Sequence, residues 1–402
     1  MSRPLHILLI HQAFVDIGEP GGTRHAEFAR QLVEHGHRVT VIASPVSYLT
    51  GAPRPEAAAL PPGLTILRAR AYRALHRSFL HRMLSFLTFT ASSFLFGLRV
   101  KHVDLVWGTS PPIFQAASAW AVARMKRVPF LLEIRDLWPA FAVAAGVLRN
   151  PLLIRLSEWL ERFLYRRADQ LVINSPGFRR HVEARGGRHI TVIPNGADAA
   201  MFDPAAKGAD FRREHKLENK FLILYAGAHG LSNDLGVVLE AASMLRDDPR
   251  IHIVLLGDGK DKHALIEQAA ALGLDNLTFV APIPKVAIPG ALGAADACLA
   301  ILKPLALYAT VYPNKVFDYM AAGRPVILAI DGVMREVIEE AGAGLFVPPG
   351  DPAALAAAMR QLAADPKAAA ALGRRGRAHL ETQFNRPQLA ADLKALIERT
   401  AK

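Results

Sequence analysis

The chain opens on LHILLI, residues 5–10, a run without polar alternation, which is the pattern of a strand covered on both faces. A turn, HQAFVDIGEPGGTRH, leads into a helix that runs to about His35. Gly36 ends that helix, and RVTVIAS reads as the next strand. Strand, glycine-bearing turn, helix and strand make a βαβ unit, which requires a parallel sheet. Further strands are predicted at 64–68, 103–107, 129–134, 170–173 and 190–193, with helices between them. The periodicity fades over 195–220, where NGADAAMFDPAAKGADF is rich in Gly, Pro, Asp and Ala, and the linker is placed there. A second series follows: FLILYAG, the loop HGLSND, the helix LGVVLEAASML, the strand and glycine turn IHIVLLGDG, then LTFVAPI, CLAIL, PVILAI and GLFVPPGD with helices between. The pattern predicts an α/β chain of two Rossmann-like domains facing each other across a cleft, 1–198 and 199–380. The amphipathic segment PQLAADLKALIERT, within 381–402, is expected to cross back to the first domain. Ligands are expected beyond the carboxyl ends of the strands.

Composition narrows the chemistry. Of 402 residues, 51% are hydrophobic and 21% charged, enough apolar matter for two cores and too little charge for a disordered chain. The formal net charge of +12 favours anionic partners such as phosphates or an acidic membrane surface. A nucleic-acid partner would also answer the charge, but neither zinc-ligand spacing nor an RNA-binding signature is present. The single cysteine, Cys298, cannot form an internal disulfide and reads as a small buried hydrophobe, which fits a cytoplasmic protein. MSRPLHILLIHQ does not read as a signal peptide, and no run reaches the roughly 20 apolar residues of a membrane span.

The sharpest chemical signal is YPNKVFDYMAAGRPV, residues 312–326. Pro313 and Asn314 precede a helix with Lys315 in its first turn, and a helix start offers unpaired N–H groups and the positive dipole end to a phosphate. Asp318 falls one turn further in, where its carboxylate could accept hydrogen bonds from ribose hydroxyls. The plainer reading is an ordinary helix start. Gly21 and Gly22 let the first-domain loop approach a phosphate or sugar without side chains in the way, or simply make a turn. Arg24 and His25, just inside the following helix, are placed to reach the cleft. Asp136 follows a predicted strand at its carboxyl end and is a candidate base or acceptor-positioning group, with a strand-end salt bridge as the alternative.

Taken together, these segments resemble the retaining glycosyltransferases of family 4, which have the GT-B fold. YPNKVFDYMAAGRPVI with GAGLFVPPGD is similar to that family's donor-binding segment. VIPNGAD…F is similar to the segment before its linker, YAGAHGLSND and LLGDG to its first two C-domain loops, and GEPGGTRHAEFARQLVEHGHRVTVI to its opening loop and helix. EIRDLWP, 133–139, resembles more narrowly the bacterial transferases of lipid-linked polysaccharide assembly, such as the N-acetyl-L-fucosamine transferases of O-antigen and capsule pathways.

The resemblance implies roles residue by residue. The family's two glutamates, separated by seven residues, fall on Thr310 and Asp318, so the first acid is missing and Asp318 would grip the ribose. Backbone groups at Asn314 and Lys315 would hold the pyrophosphate. Main-chain atoms from Ala281 to Ile283 would read the base, and Gly21, Gly22 and Gly227 would line the donor. The family's basic pair falls on Ala228–His229 and near Asn233. His229 is therefore the candidate hydrogen-bond donor, with Lys315 supplying charge. Arg135 stands where relatives carry a cleft histidine and joins Asp136 and His229 as a catalytic candidate. Glu19, Arg24 and His25 would meet the acceptor. The implied reaction moves a sugar from a UDP-sugar to a polyprenyl-diphosphate-linked saccharide, with retention and without metal. No Asp-x-Asp signature stands at a strand end, and Asp247 and Asp248 fall in a surface-like turn. No cofactor is expected beyond the nucleotide-sugar substrate.

Two alternatives are a sugar-nucleotide epimerase of the same fold and an NAD-dependent dehydrogenase. The latter lacks both the G-x-G-x-x-G turn and an acid ending the second strand. The basic, Phe- and Leu-rich stretch 72–102, with Arg77, Arg82, Phe86 and Phe89, is expected to lie on an anionic membrane at the inner face of the plasma membrane, extended by the basic run 155–167.

Overall fold

The computed structural model describes residues 3–47, 60–72, 79–205 and 208–402. The chain forms two compact units, Met1–Pro194 with Pro387–Lys402, and Asn195–Arg386.

The first unit is built on seven parallel strands: β1 (His6–Ile10), β2 (Arg38–Ala43), β3 (Leu64–Arg68), β4 (Leu105–Ser110), β5 (Phe130–Ile134), β6 (Gln170–Ile173) and β7 (Ile190–Val192). Their order is β3-β2-β1-β4-β5-β6-β7. Helices α1 (Arg24–Glu34), α2 (Phe79–Arg99), α3 (Ile113–Lys126), α4 (Ala140–Ala144) and α5 (Pro151–Arg167) lie on the connections. Every residue of β1, β4 and β5 is buried, because helices cover both sheet faces, and this is why LHILLI shows no alternation. The terminal helix Arg386–Thr400 completes this unit. Its Leu389, Leu393, Leu396 and Ile397 share a core with Phe28 and Leu32 of α1, and His37 lies 3.3 Å from Glu398. Full burial of one such side chain contributes about 1.5–3 kcal/mol, so these residues bind the helix firmly to α1.

The second unit repeats the plan with β8 (Phe221–Ala226), β9 (Ile251–Leu256), β10 (Leu277–Val280), β11 (Ala297–Ile301), β12 (Val326–Ala329) and β13 (Gly344–Phe346). The order is β10-β9-β8-β11-β12-β13, again all parallel. In both sheets the strand order reverses beside the first strand, between β1 and β4 and between β8 and β11, and ligands in such sheets sit beyond the carboxyl ends at that switch point. The stretch read as a linker begins the second unit and carries structure of its own. Asp198 caps the turn Ala199–Met201, and the Arg386 amide donates to the Ala197 carbonyl at 2.9 Å.

Candidate active site

In the second unit, the turns after β8 and β9 interlock. The Gly227 amide donates to the Leu256 carbonyl (2.9 Å) and the His229 amide to the Asp258 carbonyl (2.8 Å). A Cβ on Gly257, whose φ is +148°, would stand 1.8 Å from the Gly227 carbonyl oxygen. One on Gly259 would stand 2.3 Å from that of His229. Only glycine permits this closeness, and the result is a fixed seat for His229.

The His229 imidazole is fully buried, and among the described residues neither ring nitrogen has a hydrogen-bond partner. Burial, then Lys262 and Lys315, lower it to about 4. It is therefore neutral at pH 7. A neutral ring can donate one N–H, the part expected of it, but cannot neutralise a phosphate.

Of these two ammonium groups, Lys262 donates to the Gly257 and Val280 carbonyls (2.7 and 3.2 Å), and Lys315 is the one at a helix start. The helix Asn314–Ala321 starts after Pro313 with no side-chain cap, leaving its first amides open. Lys315 Nζ lies 3.8 Å from the centroid of the Tyr225 ring and 3.5 Å from Asn233 Oδ1. A Cβ on Gly227 would come within 2.6 Å of it, so the glycine makes room for the ammonium. Enclosure lowers this ammonium to about 7. Gly227, His229, Asn233 and Lys315, distant in sequence, are thus gathered at the β8 end of the switch point, with Asn314 beside them.

One turn deeper, Asp318 is buried and its Oδ2 lies 2.6 Å from Lys285 Nζ. Lys285 is itself buried, its ammonium 5.3 Å from the Phe202 ring. The sequence reading missed this lysine, two residues beyond Ile283. Ile283 is half-buried and packs against the second unit's core. Thr310, in place of the family's first acid, donates to the Leu307 carbonyl and ends a turn beside a depression lined by Lys303, Leu305, Tyr308, Asp331 and Pro349. Asp247 and Asp248 are occupied by Arg360 and Arg250. Cys298 is buried in β11, which pushes its thiol up.

In the first unit, Gly21 has φ +134°, and nothing lies within 4 Å of a Cβ built on Gly22, so the glycine loop is open and exposed. Glu19, half-buried, precedes it. Arg24 and His25 correct the sequence expectation: both are buried and spent inside the unit. Arg24 Nε donates to Glu133 Oε1 (2.7 Å) and its other nitrogens to the Ile193 and Pro194 carbonyls (2.6 Å each). His25 Nε2 lies 2.8 Å from Glu133 Oε2, which also accepts from Trp107 Nε1 (3.1 Å). Neither residue is presented to an acceptor. Burial alone would raise the Glu133 carboxyl, yet Arg24 and His25 hold it well below the usual range. Glu133, a lone acid inside the apolar FLLEI, is the signal that sequence reasoning passed over. Arg135 Nε donates to Thr109 Oγ1 and its Nη2 to the Pro111 carbonyl, both at 2.8 Å, while Asp136 is exposed just past β5.

One of the expected membrane residues is corrected. Phe89 is fully buried, and Phe86 is half-buried with its ring 6.3 Å from Phe114. Arg82 is half-buried, and Arg77 lies outside the described residues. Among the described residues no helix is long and apolar enough to cross a membrane.

Residues 207–379 match the family described as glycosyl transferases group 1, and residues 21–196 match the glycosyl transferase 4-like domain. WcaI of Escherichia coli strain K12, provisionally named a colanic acid biosynthesis glycosyl transferase, is 27% identical over 371 residues, covering 86% of this chain and 89% of that protein. Among solved structures, sucrose-phosphate synthase from Thermosynechococcus elongatus superposes with a TM-score of 0.79 at 19% identity, covering 98% of each chain. Anabaena HepE in complex with UDP-glucose superposes with a TM-score of 0.73 at 16% identity, covering 98% of this chain and 100% of that one.

Proposed function

Because the chain belongs to the family 4 glycosyltransferases of GT-B fold, we propose that it moves a hexosyl or N-acetylhexosaminyl group from a UDP-sugar to a polyprenyl-diphosphate-linked saccharide in surface polysaccharide assembly, with retention and without metal. The observation that carries this reading is the group at the open helix start: Lys315 against Tyr225, beside a buried imidazole without a partner among the described residues. A donor diphosphate would take the amides of Asn314 and Lys315, the Lys315 charge and one His229 N–H, which together stabilise a departing UDP. Asp318, held by Lys285, would face the ribose, and the segment through Ile283 would meet the base. UDP-glucose bound to HepE supports a uridine donor, and the name of WcaI supports a polysaccharide product.

On the first unit, the Gly21–Gly22 loop, Glu19, Arg135 and Asp136 would receive acceptor and donor sugar, with Asp136 orienting the attacking hydroxyl. Arg24 and His25 would act through Glu133 by fixing the start of α1 behind that loop. The protein would work in the cytoplasm at the inner face of the plasma membrane.

A thermal-shift screen of UDP, GDP, ADP and their sugars, run with chelator, tests the reading. A ligand at 100-fold its Kd stabilises by about 2.7 kcal/mol. Uridine nucleotides should raise the melting temperature with chelator present. A shift that needs divalent metal, or one confined to purine nucleotides, would overturn the corresponding part.

A further inference from the structure

The chain passes between its two units twice, at Pro194–Asn195 and at Arg386–Pro387. Within the second unit, backbone bonds join the two passages. The Ala197 amide donates to the Phe384 carbonyl at 3.2 Å, and the Arg386 amide to the Ala197 carbonyl at 2.9 Å. Asn385 Oδ1 accepts from the Ala199 amide at 3.3 Å.

Two side chains reach from these passages to the residues that open the helix Asn314–Ala321. Asn195 Nδ2 donates to the Tyr312 carbonyl at 2.7 Å. Arg386 Nη2 donates to the Gly196 carbonyl and, at 3.3 Å, to Asn314 Oδ1. Asn195 and Arg386 are both buried. Ring contacts run the same way: Phe384 lies 4.8 Å from Phe317 and 6.1 Å from Tyr312. The helix start is therefore held by its backbone just before Pro313 and by a side chain just after it.

The Arg386 bond bears on the donor site. An asparagine near a helix start readily turns its side-chain oxygen to the amides of the first turn. Asn314 Oδ1 accepts from Arg386, and the helix carries no side-chain cap. Its first amides thus stay open to a diphosphate. Groups fixed in this way before the ligand arrives lose little freedom when it binds.

In the first unit, Arg24 donates to the Ile193 and Pro194 carbonyls, and Asn195 follows directly. The stretch 193–196 is thus bonded to the start of α1, behind the glycine loop, and to the residues that open the donor helix.

We propose that Asn195 and Arg386 are positioning residues for the donor. They fix Tyr312–Asn314 so that the helix amides face the diphosphate, and they tie donor binding to both passages of the chain between its units. Both act through Tyr312 and Asn314 and not on the nucleotide itself. This deepens the UDP-sugar reading and rests on it.

Calorimetric titration of the full chain with UDP, with hydrogen exchange on the same proteins, tests the proposal. Asn195→Ala and Arg386→Lys each weaken UDP about five- to tenfold, the loss of one hydrogen bond, with the binding stoichiometry unchanged. A purely structural fault would lower the stoichiometry and leave the Kd of the folded fraction as it was. Asn314→Ala removes the group through which Arg386 acts, so in that background Arg386→Lys weakens UDP by less than about twofold further, whereas Asn195→Ala keeps its effect. In the parent, UDP slows exchange of the Ala197 and Arg386 amides, and the slowing is reduced in each variant. Asn195→Ala carries the test should Arg386→Lys fail to fold. Variants that bind UDP like the parent, a full additional loss from Arg386→Lys in the Asn314→Ala background, or UDP binding without change at Ala197 and Arg386 would each overturn the proposal and leave the donor site standing. A parent chain that does not bind UDP would remove the donor reading, and this proposal with it.

Discussion

A lysine pressed against a tyrosine ring beside a buried imidazole cannot keep its full basicity. Lys315 is brought down to about 7 because its enclosure disfavours the charged form. A diphosphate favours that form, so donor binding should take up a proton wherever the free site has lost one. Below pH 7 the lysine is already charged and its own contribution to UDP affinity is flat. Above pH 7 it falls by up to about tenfold per pH unit. Lys315→Met should weaken UDP roughly ten- to hundredfold at pH 6.5, the loss of a charge-assisted contact. Lys315→Arg should retain binding with no such slope between pH 7 and 9, and calorimetry across that range reads all three proteins. The position of Lys315 was legible in the sequence, since helix start and lysine stand side by side in YPNKVFD. Its tie to Tyr225, and the neutrality of His229, were not, because both follow from a fold that packs residues about 90 apart in the chain. Lys285 escaped for the same reason: nothing local to PIPK announces Asp318 as its partner.

At the scale of elements, α1 is tied to β5 by the Glu133 carboxylate. That carboxylate accepts from Arg24 and Trp107 and lies against His25, fixing the end of the glycine loop. Both His25 and Glu133 titrate below their ordinary values of 6.5 and 4.5, so the folded unit binds fewer protons than the unfolded chain. Their contribution to stability is complete above pH 6.5 and is lost as pH falls through and below that point. Denaturant unfolding of the first unit should show a plateau above pH 7 and a decline beneath it. Glu133→Gln should cost about 3–5 kcal/mol at pH 7.5, because Arg24 is left buried without its counter-charge, and should shallow the acid decline. Cost-free replacement would remove Glu133 from this role. The strands and α1 could be read from their patterns. That Arg24 and His25 turn inward could not, since a helix start after a glycine loop looks the same whether its basic residues face a ligand or a buried acid.

At the scale of the whole molecule, two sheets of matching strand order each place a glycine turn beyond their first strand. This much was visible as a strand–glycine–helix pattern that begins twice, and the last helix was visible as an amphipathic segment. Its membership of the first core depends on Leu389, Leu393, Leu396 and Ile397 meeting α1, which no local pattern encodes. The excess of 48 basic over 36 acidic residues includes Arg155, Arg162 and Arg166, exposed along α5, and Lys315 at the proposed donor site. Hydrogen exchange of the full chain with and without UDP tests the donor site most directly. Slowed exchange is predicted in the amides of 227–233 and 314–318, the two turns that meet at Lys315. Unchanged exchange in both segments, with UDP bound and protection elsewhere, would contradict it.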